Sequence, residues 1–127
     1  MHDATKLSIQ INECAHNFPA LFEEIQQRQN VALAQGQFGV WDKLQRALIA
    51  LNADHRAIIN HELAEIENSA KMRKAIAGFA AVNAAIENRL KTISDLKSFV
   101  TVLNTLLGNL NSAVTIALNK PSSSSAG

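Results

Sequence analysis

Between positions 40 and 77 the sequence holds neither glycine nor proline, and no other feature constrains the fold as strongly. Its large apolar residues, Trp41, Leu44, Leu48, Leu51, Ile58, Ile59, Leu63 and Ile66, recur at spacings of three and four. That is the period of one helical face rather than the alternation of a strand. Asp42 with Arg46 and Glu67 with Lys71 add acid-before-base pairs four residues apart, the orientation that supports a helix. Two architectures fit. One is a single helix continuing to Leu90, which would span ~75 Å at 1.5 Å per residue. The other is two helices joined near Asn68, with Ser69 as the cap of the second.

The flanking segments read in the same way. Leu7, Ile11, Cys14 and Phe18 share one helical face over residues 3–17. Leu7, Ile9 and Ile11 also alternate, but no second strand is present to pair with them, and a lone strand leaves its backbone unsatisfied. Phe18-Pro19 is expected to end this helix, because the residue before proline is pushed out of the α region. Pro19 then opens a second helix over 19–34, with Glu23 and Glu24 in its first turns and a Glu24–Arg28 pair. Gly36 and Gly39 mark a loop over 35–39. Residues 74–86 are rich in alanine around Gly78, which suits close approach by another helix, and Glu87 with Lys91 repeats the favourable pairing. Thr92 and Asp95 have the form of a capping box, so a break is expected at 92–94, with a last helix running to Asn119. The expected fold is all-α, a mainly antiparallel bundle of four or five helices. It forms a single domain over 1–120, followed by a flexible serine-rich tail over 121–127.

Composition narrows the function classes. A chain of 127 residues is one domain's worth, and scarce glycine, proline and aromatics favour helix. Lys+Arg of 12 against Asp+Glu of 11 lacks the basic footprint of a nucleic-acid binder, so no nucleic-acid partner is expected. A single cysteine, Cys14, makes no internal disulfide, and the first residues do not have the form of a secretory signal. The expected location is therefore the cytoplasm.

No catalytic motif is complete. His61-Glu62-Leu63-Ala64-Glu65 resembles the zincin HExxH pattern with glutamate in the place of the second histidine, and no third ligand is identifiable. Asp54-His55-Arg56 together with His61 and Glu65 resembles part of a hemerythrin site, which needs histidines on later helices; none follows His61. Glu13-Cys14-Ala15-His16 supplies one ExxH, a unit that ferritin-like di-iron bundles use twice. Cys14 and His16, two residues apart, point to different faces, so Cys14 reads as a small buried apolar residue. Lys71-Met72-Arg73-Lys74 reads as solvated helix surface. The expectation is a protein that is not an enzyme and uses neither cofactor nor metal.

One segment stands apart. Residues 98–119 carry no charge. Val100, Leu103, Leu107, Leu110 and Val114 form a heptad-like seam, opposed by Asn104, Asn111 and other small neutral groups. Three uses fit. The seam can face the core of its own bundle. It can face a copy of itself, with Asn104 and Asn111 fixing the register. Or the segment can enter a membrane, since about 20 residues span one. Its asparagines are costly in hydrocarbon, and it lacks flanking Trp or Tyr. The expected function is a non-enzymatic helical protein–protein interaction module (adaptor, chaperone, inhibitor or immunity type) that self-associates. A membrane-active or pore-forming protein using residues 98–119 is the alternative.

Overall fold

A computed structural model of the chain describes residues 3–60 and 68–118. The elements are α1 (Asp3–Ala34), α2 (Phe38–Asn60), α3 (Ser69–Ala84), a π-helical turn (Ala85–Arg89), α4 (Leu90–Thr92) and α5 (Leu96–Ala117). α3, the π turn and α4 follow one another without a break, so the described residues form an all-α bundle of four rods. The tail over 121–127 lies outside the described residues, as does the segment 61–67 that follows α2.

Pro19 does not end the first helix. α1 runs through it as one helix, where two were expected to meet. An interior proline removes a hydrogen bond and costs about 3 kcal/mol in a helix. Here Cys14, Phe18, Leu21 and Ile25, all fully buried or nearly so, hold the helix on both sides of it. Pro19 itself is exposed, on the outer side of the helix. Tertiary packing overrides the local preference.

α1 stops where glycine permits. Gly36 adopts φ 70°. Its N–H donates to the Leu33 carbonyl and the Gln37 N–H donates to the Ala32 carbonyl, the paired bonds of a Schellman cap. Two expected caps move by a few positions. Asn68, rather than Ser69, caps α3, its Oδ1 accepting from the N–H groups of Ala70 at 2.8 Å and Lys71 at 3.2 Å. Asp95, rather than Thr92, caps α5, its carboxylate accepting from Ser98 N–H at 2.8 Å. That bond holds the Asp95 carboxyl below its usual range. The long helix over 40–90 is excluded, since Asn68 has an extended backbone, φ −80° and ψ 114°, and caps a new helix that begins at Ser69.

α1 packs beside α2 and α3, and α5 also packs beside α2 and α3, which puts α1 and α5 on one diagonal. Gln10 meets Asn83, Asn17 meets both Asn83 and Glu87, and Arg28 reaches Leu90. α1 and α3 therefore run in the same direction. The bundle consists of two antiparallel hairpins, α1–α2 and α3–α5, laid side by side with parallel pairing between them. Phe18, Phe79 and Phe99 are fully buried, and Leu44, Leu51, Leu103 and Leu110 fill the core around them. Gly78 lets the second hairpin close. A Cβ built there would stand 3.0 Å from the Ala113 Cβ.

Two of the four expected ion pairs form, Glu24–Arg28 at 3.5 Å and Asp42–Arg46 at 3.1 Å. Glu67 lies outside the described residues. Glu87 and Lys91 do not pair, because the π turn between them shifts the four-residue register, and Glu87 instead accepts from Asn17 at 3.0 Å.

Candidate functional site

The titratable groups do not converge. Among the described residues no cluster of three or more His, Cys, Asp or Glu side chains is placed to hold a metal ion. His61, Glu62 and Glu65 lie outside the described residues, so the zincin-like pattern has no geometry to report. Cys14 is fully buried, and its thiol is pushed up to about 12, first by desolvation and then by the charges of Asp54 and Glu13. Such a thiol is inert toward electrophiles at neutral pH. His16 is exposed, on a different face from Cys14. His55 packs against the two phenylalanines of α1: its ring lies 4.7 Å from that of Phe18 and meets Phe22 edge-on at 5.7 Å.

The buried polar groups fix register between helices. Asn83, on α3, is buried. It accepts from Asn17 at 3.1 Å and donates to the Gln10 carbonyl at 3.1 Å and to Gln10 Oε1 at 3.0 Å. Gln29, on α1, donates to Gln45 Oε1 at 3.0 Å and to the Trp41 carbonyl at 3.4 Å, which sets the register of the first hairpin. Among the described residues no buried side-chain polar atom lacks a partner. The bonds of Asn83 and Gln29 are accounted for by folding.

The seam on α5 divides. Leu103, Leu110 and Val114 are fully or almost fully buried in the core of the same chain, and Val100 and Leu107 are half-buried against it. Asn104 and Asn111 face outward. From Ser98 onward the outer face of α5, with Thr101, Thr105, Gly108, Ser112 and Thr115, is therefore solvent-facing and free of charge. Ala77 and Ala81 of α3 border it across a groove of about 250 Å³, with Lys74 at one end of its lining.

A second surface escaped the sequence reading. The end of α1 and the start of α2 expose Val31 at 43%, Leu33 at 54%, Phe38 at 66% and Trp41 at 36%. The signal was present in the spacing: Leu21, Ile25, Gln29 and Ala32 continue the buried stripe, and Val31 and Leu33 fall off it. Residues 29–41 contain no charge. Ile9, Ile49 and Ile59 are also exposed but stand singly elsewhere on the bundle, which is ordinary.

No protein-family model matches this sequence, and comparison with curated proteins and with solved structures yields no match. The geometry defines the class alone: a four-rod helical bundle with a satisfied interior and two unusual outer surfaces.

Proposed function

We propose that this chain is a non-enzymatic helical interaction module that engages a helical protein through the charge-free outer face of α5, with a second copy of the chain as the first partner to test. The observation that carries this reading is the composition of that face. A solvent-facing helix ordinarily carries Lys and Glu, and α5 exposes only small neutral side chains from Ser98 to its end. Such groups let another helix approach closely and leave no charge to desolvate. Asn104 and Asn111 supply hydrogen bonds that fix the register. Because Leu103, Leu110 and Val114 already belong to the core, the contact uses the outward side of the helix rather than the seam itself.

The test is light scattering coupled to gel filtration over a range of concentrations, on the wild type and on Asn104→Lys and Gly108→Lys. A dimer that either lysine dissociates supports the reading. A wild type that stays monomeric, binds no helical partner and behaves like both variants removes it.

The membrane-active alternative has one observation in its favour. By length and composition α5 is long and apolar enough to cross a bilayer. Its apolar face, however, packs in the core, so insertion through α5 requires the bundle to open first. Vesicle leakage that is abolished by locking α3 to α5 with an engineered disulfide would favour that route.

A further inference from the structure

We infer that the apolar tip of the α1–α2 hairpin is a docking surface for an anionic lipid membrane, which the folded bundle engages without unpacking. Val31 and Leu33 in the last turn of α1, and Phe38 and Trp41 in the first turn of α2, are exposed around the Gly36 bend. Side chains of this size clustered at one turn are not explained by folding, since the core is complete beneath them with Ala32 and Leu44 fully buried. Trp and Phe are also the side chains that settle at the boundary of headgroup and acyl chain.

Charge decides between a lipid surface and an apolar protein groove. The contact from Arg28 to the Leu90 carbonyl and the Phe99 ring brings the α4–α5 connection beside this end of the first hairpin. Exposed Lys43 on α2, Arg89 and Lys91 before the connection and Lys97 after it form a basic collar behind the tip. Among the described residues none of these four cations is in an ion pair. Of the carboxylates at this end, Asp42 pairs with Arg46, Glu24 pairs with Arg28, and Asp95 accepts from the Ser98 N–H, while Glu23 is exposed to solvent; the cations outnumber them. A recess of about 520 Å³ between Arg89, Ile93, Lys97 and Val102 opens among them, with room for a phosphate-bearing headgroup. An apolar tip with free cations behind it complements a surface whose phosphates lie above hydrocarbon. The chain is near neutral as a whole, so the attraction is local to this end.

Trp41 is the sole tryptophan, so the wild-type chain reports on its own tip. The experiment follows Trp41 emission and co-flotation of the full chain with vesicles of phosphatidylcholine alone and of phosphatidylcholine with phosphatidylserine. The expected result is a blue shift and flotation with the phosphatidylserine vesicles, weakened by salt and by Lys91→Glu with Lys97→Glu. Phe38→Ser should weaken binding roughly ten- to a hundred-fold, and Phe38→Leu should largely preserve it. Phe38, Lys91 and Lys97 are all exposed in the fold, and circular dichroism of each variant checks that the helix content is unchanged. No shift with either vesicle overturns the proposal. A concentration-dependent shift without lipid overturns it too, because a second copy then covers the tip. Asn104→Lys leaves the tip intact, so failure of the α5 contact and failure of this one are read separately.

Discussion

The guanidinium of Arg28 lies 4.5 Å from the centroid of the Phe99 ring, reaching across the diagonal of the bundle from α1 to α5. The same group donates to the Leu90 carbonyl at 3.4 Å, where the rod ending in α4 leaves its last carbonyls without helical N–H partners. One side chain thus joins three helices, and it places positive charge at the negative end of a helix dipole.

Arg28→Ala should therefore lower stability by about 2 kcal/mol, combining a partly desolvated cation–π contact with a lost C-terminal cap. Arg28→Lys should recover part of this, because a lysine keeps the charge and loses the fork. Urea unfolding of the three proteins measures both differences. Equal stability of Arg28→Ala and wild type would show that the contact contributes nothing.

Removing Asn83 strands its partners. Asn83→Ala leaves the Gln10 carbonyl and the Asn17 amide short of a bond in a buried place, at about 1–3 kcal/mol. Asn83→Asp should be worse, since a carboxylate cannot donate to Gln10 and would stand close to Glu87 through their shared partner Asn17. Denaturant midpoints rank the two variants.

Close approach at Gly78 sets a size limit. Gly78→Leu should destabilise the bundle by about 1–3 kcal/mol, because the side chain must enter space that the Ala113 Cβ occupies. Ala113→Gly in the same chain should relieve part of the loss, and a double-mutant cycle measures the coupling.

The Cys14 thiol gives a pH dependence whose sign is fixed. Its value is raised from 9.0 to about 12 in the folded chain, so above pH 9 the unfolded chain loses this proton first. The stability it contributes is complete below pH 9 and falls as pH rises from there toward 12, by at most about 1.4 kcal/mol per pH unit. Cys14→Ala should lack this slope relative to wild type. At pH 8 a thiol reagent should label Cys14 only as fast as the bundle opens, and rapid labelling of native protein would contradict its burial.

The fold class was legible because helical periodicity and the scarcity of breakers act over long windows, where they sum. Pro19 was misleading for the opposite reason. The rule that proline ends a helix is local, and Cys14, Phe18, Leu21 and Ile25 outweigh it only after tertiary packing exists. The caps fell at Asn68, one residue before the expected Ser69, and at Asp95, three after Thr92, since several neighbouring side chains there are competent to cap. The α5 seam was visible as a pattern, but a pattern does not say whether the apolar side meets its own chain or another. The hairpin tip was hidden because Val31 and Leu33 differ from the core residues beside them only in angle around the helix.

Parallel pairing between the two hairpins has a practical corollary. Asp3 and Leu118, the first and last described residues, both stand at the end of the bundle remote from Gly36, as do Asn60 and Asn68. A tag, fluorophore or sensor linkage attached at either terminus therefore hangs from the far pole and leaves Phe38 and Trp41 pointing away from the support. Immobilised by its ends, the molecule presents its apolar pole to whatever flows past.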